Sequence, residues 1–120
     1  MRVHQFVHLH VHTDFSSLDG ACRIEDLAVQ AKEWGMPAVA CTDHGNMSAA
    51  IEFYETMAKH GIKPIIGCEF YVAPSSRTNR DPNERHNQGF HLVLLAQNFE
   101  GYQSLCRLNT LAWLEGHYYK

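Results

Sequence analysis

The sequence predicts an α/β fold in which parallel strands alternate with helices. Three observations predict it: a period-two run near the start, two later runs of helical apolar spacing that each end at a glycine, and short apolar runs between and after them. Over residues 5–11, Phe6, Val7, Leu9 and Val11 mix with His8 and His10, which suits a first strand whose face carries His8, His10 and, just beyond, His12. After the turn-like Ser16, Ser17, Leu18, Asp19 and Gly20, apolar residues recur at Ile24, Leu27, Ala28, Ala31 and Trp34, and Gly35 stops that helix. Residues 38–42 read as a second strand and 43–46 as a turn. Ala50, Phe53, Tyr54, Met57 and Ala58 then give a second helix ending at Gly61. Residues 64–72 and 90–96 are the third and fourth predicted strands. Tyr102, Leu105, Leu108, Ala112 and Trp113 mark a third helix capped by Asn98. This order implies parallel strands joined by right-handed crossovers, in an open α/β sheet or in a piece of a β/α barrel. Periodicity does not separate the two. Between the last two strands, residues 74–89 hold Arg77, Arg80 and Arg85 alternating with Asp81 and Glu84, the pattern of a solvated loop.

Bulk properties exclude several function classes. At 120 residues and 45% hydrophobic composition the chain can bury one core, so one domain is the ceiling. A net charge of -3 and the lack of a Lys/Arg stripe remove the electrostatic footprint of a stand-alone nucleic-acid binder. The four cysteines, Cys22, Cys41, Cys68 and Cys106, form no CxxC pair, and no apolar secretory segment follows Met1, so reduced thiols in a cytoplasm are expected. Charged residues or histidines interrupt every apolar stretch, which disfavours a membrane role.

His10 and His12 project to the same side of a strand about 7 Å apart, near enough for two imidazoles to meet at one cation. By themselves they read equally well as histidines on a half-exposed strand. Other donors shift the balance: Asp19 follows the first strand, Asp43 and His44 follow the second, and Glu69 lies in the third. In parallel α/β architectures the carboxyl ends of the strands share the face where active sites assemble. A His/Asp/Glu set without cysteine suits zinc, manganese or iron, and a carboxylate such as Glu69 can bridge two cations. Such a cluster activates a bound water and neutralises charge on a phosphoryl oxygen, which is the logic of phosphoester hydrolysis. His12, Glu69 and His44 are therefore the candidate catalytic residues. His91 opens the fourth strand where the others sit at strand ends, and topology gives it no place in the site. His8 reads equally as a partner behind the ligands or as a satisfied core group. Asp43 either orients a ligand or caps the second helix, capping by Asp43 or Asn46 being the more ordinary role. Cys68 falls on the opposite strand face from Glu69 and reads as buried packing. His4, His60, His86 and His117 fit cap or surface roles.

The run from His10 and Val11 through His12 to Asp19 and Gly20, together with residues 42–46 and residues 63–69 ending in Glu69, resembles the first three motifs of the PHP (polymerase and histidinol phosphatase) family in order and spacing. Residues 90–98, with Gly101, Tyr102 and residues 111–116, look like the branch found in bacterial replicative DNA polymerase III alpha subunits rather than the small stand-alone phosphatases. The resemblance covers nearly all of the chain. It implies metal ligation by His10, His12, Asp19, His44, Glu69 and His91, the last supplied by resemblance alone. It further implies a distorted β/α barrel, of which residues 1–120 are the amino-terminal part, holding up to three divalent metal ions, zinc foremost, with manganese or iron as alternatives. The family's later motifs, which supply a cysteine, an aspartate and a histidine, are then expected beyond Lys120.

Some members of this kind act as 3'-5' exonucleases that proofread for the adjoining polymerase, whereas others have lost ligands and keep the domain as a scaffold. Every ligand position present here is retained, which resembles the metal-competent branch. The implied partners are the 3' terminus of DNA, the remaining polymerase domains and replisome subunits. Two other readings are a stand-alone phosphatase acting on a phosphomonoester and a non-catalytic domain that stabilises the polymerase. The isolated fragment is expected to be inactive and to leave open strand edges.

Overall fold

The computed structural model describes residues 6–81 and 89–117. Helix α1 (Ile24–Glu33) starts with Glu25 and Asp26 in its first turn and has Lys32 in its last, a charge order that complements the helix dipole. Gly35, at φ 69°, turns the chain out of the helix, a conformation that strains any residue with a Cβ. Strand β1 (Ala38–Cys41) is buried along its whole length. Its small side chains let α1 and α2 (Ala50–Lys59) pack against it, and Ile24, Ala28, Ala31, Val39, Cys41, Phe53 and Met57 share one apolar core. Fully burying a side chain the size of Phe53 contributes about 1.5–3 kcal/mol, so this cluster is the main anchor of the fold.

Strand β2 (Lys63–Val72) pairs in parallel with β1, from Ala38 opposite Lys63 to Cys41 opposite Ile66. The same register continues past the end of β1 as an isolated bridge between His44 and Glu69. Helix α2 supplies the crossover that a parallel pair requires. Strand β3 (Phe90–Leu95) completes the order β1-β2-β3 but runs antiparallel to β2, pairing Val72 with Phe90 and Tyr71 with His91. The fully parallel arrangement expected from the sequence thus stops at β2. The physical reason is that residues 73–81, the described start of the connection, form no helix, so the chain folds straight back. Helix α3 (Phe99–Leu111) carries the expected cap, with Asn98 Oδ1 accepting from the Gly101 amide, and continues as a π-helical turn at Ala112–Gly116. Its Leu105 packs on Cys68 and Phe70, which confirms Cys68 as buried packing. Burial pushes the Cys68 thiol up to about 12.

The first predicted strand is reduced to one parallel bridge, His8 with Val39. The Ala40 amide donates to the His8 carbonyl and the Thr42 amide to the Val11 carbonyl, so the outer segment spends three residues where β1 spends two. Such a bulge breaks side-chain alternation. His8 accordingly neither supports the other histidines nor enters the core: it is exposed, with its ring edge-on to Phe6 at 4.7 Å. The Thr42 hydroxyl holds the bulge by accepting from the Val11 amide and donating to the Val11 carbonyl.

In the polar segment after β2, Arg77 makes a two-pronged ion pair with Glu115, at 2.6 Å and 2.8 Å, and Arg80 donates to the Glu115 and Gly116 carbonyls. These arginines fasten the segment to the chain after α3. Arg85, Glu84, His86 and His4 lie outside the described residues.

Candidate metal centre

Glu69 is 1% exposed, and four imidazoles surround its carboxylate. Oε2 lies 3.5 Å from His10 Nε2, 3.1 Å from His12 Nε2 and 2.8 Å from His44 Nδ1. Oε1 lies 2.5 Å from His91 Nδ1. Asp19 joins through His44, whose Nε2 is 3.1 Å from Asp19 Oδ2. All six residues singled out in the sequence as metal ligands therefore fall in one cluster.

The separations divide into two kinds. Two donors held at ~2.1 Å by a tetrahedral ion stand about 3.4 Å apart, and the His10, His12 and Asp19 contacts are close to that spacing. One donor atom each from His10, His12 and Glu69 lies within 4.8 Å of the others. The His44 and His91 contacts to Glu69 are shorter, at 2.8 Å and 2.5 Å. Among the described residues, His12 Nδ1 and Glu69 Oε2 are buried without a hydrogen-bond partner. A buried carboxylate oxygen facing three imidazole nitrogens within 3.5 Å is a donor set that suits a divalent cation. The His12 and His44 rings stack at 3.8 Å and 17°.

The antiparallel turn of β3 explains His91. Because β3 runs back along β2, its first residues lie beside the last residues of β2, and His91 stands opposite Tyr71. The start of this strand is at the same rim as the carboxyl ends of the others. Glu69, Tyr71 and His91 share one sheet face, since alternate residues and direct cross-strand partners do so. Tyr71, which the sequence reading passed over, places its hydroxyl 3.0 Å from His44 Nδ1. Its position two residues after Glu69 in a strand was the available signal. Burial and the nearby Glu69 and Asp19 charges hold the Tyr71 hydroxyl above its ordinary range, so it keeps its proton.

Asp43 does not cap α2. Its buried carboxylate accepts from the Thr13 amide at 2.6 Å, the Thr13 hydroxyl at 2.8 Å and the Ser16 hydroxyl at 2.7 Å, with Cys41 Sγ at 3.3 Å. It thereby pins the loop between His12 and Asp19 to the turn that presents His44. Asn46 accepts from the Ser48 amide at 3.1 Å, a local turn bond, and the residue preceding α2, Ala49, makes no side-chain cap. Ala49 before α2 and Ala50 at its start are both packed into the interior, and Asp43 organises the loop instead. Gly20 closes that loop at a point where a Cβ would stand 1.8 Å from the Thr13 carbonyl.

Residues 8–120 match the PHP domain. The chain belongs to the PHP domain family. It is 47% identical over 114 residues to the DNA polymerase III subunit alpha of Chlamydia trachomatis, 47% over 116 residues to that of Borreliella burgdorferi, and 51% over 114 residues to that of Helicobacter pylori. These alignments cover 95–97% of the chain and 9–10% of the relatives, so the chain spans about a tenth of their length. Its fold is similar to that of a Bifidobacterium adolescentis protein assigned as a metal-dependent phosphoesterase, with a TM-score of 0.51 at 22% identity, covering 86% of this chain and 32% of that one. The mixed α/β architecture expected for a PHP domain is thereby supported. Among the described residues no helix is long and apolar enough to cross a membrane.

Proposed function

We propose that this PHP domain is the amino-terminal region of a bacterial DNA polymerase III alpha subunit, and that its His/Glu centre is a metal-dependent phosphoesterase site acting on the 3' terminus of DNA. The observation that carries the site is the convergence of His10, His12, His44 and His91 on the buried carboxylate of Glu69. The polymerase assignment is supported by 47–51% identity to alpha subunits. The same likeness favours a phosphodiester over the phosphomonoester of a stand-alone phosphatase. DNA, the remaining polymerase domains and replisome subunits are then its partners.

In this reading His10, His12, Asp19, His44, Glu69 and His91 hold divalent ions, up to three in the intact domain. Zinc is the first choice for a nitrogen-rich set, and manganese or iron suits the carboxylates. Bound ions supply an activated water and charge neutralisation at the phosphoryl oxygens. Glu69, with its two oxygens facing different imidazoles, would supply carboxylate oxygens to the bound ions. His12 and His44 are the catalytic imidazoles beside it, and the Tyr71 hydroxyl orients His44.

The test is metal content and 3'-end hydrolysis of a DNA oligonucleotide by the full-length protein, compared with His12→Ala and Glu69→Ala. Loss of metal and hydrolysis together is the expected result. Bound metal without hydrolysis in the unaltered protein would move the assignment to a structural metal, and no metal at all to a scaffold.

A further inference from the structure

The geometry points to a nucleobase-stacking platform beside the metal centre, formed by Phe15, Leu18 and Trp113, that receives the terminal base of a single-stranded DNA end. This rests on the phosphoesterase reading above and names the part of the substrate that the ions do not hold.

A cleft of about 430 Å3 opens against the cluster, and its walls are of two kinds. Asp19, His44 and His91 supply one wall, which is the metal-donor side. Phe15, Leu18 and Trp113 supply the other. Leu18 is fully exposed and Trp113 is 52% exposed, so large apolar surface stands in water within one cavity of a polar centre. Water-exposed apolar side chains that flank a site of this kind fit a ligand with an anionic end and a flat apolar end. A nucleotide is such a ligand, and base–aromatic stacking is tolerant of base identity because every base has a π-face.

The Phe15 backbone and the Trp113 indole are held in place before any ligand arrives. The Phe15 backbone is tied on both sides: its amide donates to Thr13 Oγ1 at 3.2 Å and its carbonyl accepts from Asn46 Nδ2 at 3.4 Å. Trp113 Nε1 donates to the Gly45 carbonyl at 2.8 Å, and Asn109 Nδ2 donates to the same oxygen at 2.8 Å. The indole is thus tied to the residue that follows His44. Stacking of Trp113 on His117, at 4.8 Å and 27°, further restricts the ring. A surface already ordered in the free protein loses little entropy on binding.

The experiment uses the full-length protein and two single-stranded oligonucleotides, one ending in an ordinary 3' nucleotide and one in a 3' abasic residue. The expected result is a KM about 10-fold lower for the ordinary end. Phe15→Ala should erase that difference with kcat little changed, Phe15→Trp should restore it, and Trp34→Ala, at the exposed end of α1, should leave it intact. Equal KM for the two ends, unaffected by Phe15→Ala, overturns the platform while leaving the hydrolytic reading standing. If neither oligonucleotide is cut, the hydrolytic reading fails, and the platform is decided by the fluorescence of a 3'-terminal 2-aminopurine. A quenching component lost in Phe15→Ala and regained in Phe15→Trp upholds the platform, and identical quenching in all three proteins overturns it.

Discussion

His44 and Glu69 meet twice. Their backbones form a parallel bridge, with the Gly45 amide donating to the Glu69 carbonyl and the Glu69 amide to the Asp43 carbonyl, while their side chains approach to 2.8 Å. The ladder that holds the sheet also sets the two groups face to face. Replacing the Glu69 carboxylate while keeping its shape therefore tests the site with little disturbance of the ladder. Glu69→Gln is expected to weaken divalent-metal binding by at least the ~10–100-fold typical of losing a supporting group around a metal ligand. Metal titration calorimetry checks this, and an unchanged Kd would remove Glu69 from the site.

Metal binding should also appear as stability. An ion that binds only the folded chain at 100 times its Kd adds about 2.7 kcal/mol. Denaturant midpoints measured in excess manganese or zinc and again after chelation should differ in the unaltered protein. They should converge in His12→Ala. Coincident midpoints in the unaltered protein would show that the cluster holds no ion.

Asp43→Ala removes the common acceptor of the Thr13 amide, the Thr13 hydroxyl and the Ser16 hydroxyl. Hydrogen bonds to a charged acceptor contribute about 1.5–3 kcal/mol each in favourable cases, and buried donors left unpaired add their own cost. A loss of about 3 kcal/mol or more is expected from denaturant unfolding, with faster hydrogen exchange at the Thr13 amide. A loss below 1 kcal/mol would mean that the loop is held by something else.

Cys41 gives a pH prediction. Burial first, and then the Asp43 charge, raise its thiol above the ordinary 9.0, so the folded chain keeps this proton at pH values where the unfolded chain has released it. The stability this group contributes is whole below pH 9.0 and is lost as pH rises from there toward the folded-state value. Unfolding free energy should fall with a slope of up to about 1.4 kcal/mol per pH unit from this thiol, and the slope should be shallower in Cys41→Ala. Equal slopes in the two proteins would refute it.

The helices were legible because their signals are local: Gly35 and Gly61 end runs whose apolar spacing already fixed the buried faces. The meeting of His10, His12, Asp19, His44 and Glu69 was legible for a topological reason, since parallel strands bring their carboxyl ends to one rim. His91 was not, because the direction of β3 depends on what joins it to β2. A connection without helical spacing was the sign that it turns back. For Asp43 the sequence favoured the helix cap over a ligand-orienting role because the residue type suits a cap, and only the fold brings Thr13 and Ser16, roughly 30 residues earlier, within reach. The break in alternation after His8 depends on the Thr42 hydroxyl across the ladder, a partner that periodicity along one segment does not contain.

The six residue pairs that lock β3 to β2 give the antiparallel turn a further consequence. Register alone sets where His91 stands, so the length of the connection is uncoupled from the position of the imidazole it delivers. A change in the length of that connection is therefore expected to leave Tyr71 and His91 opposite each other.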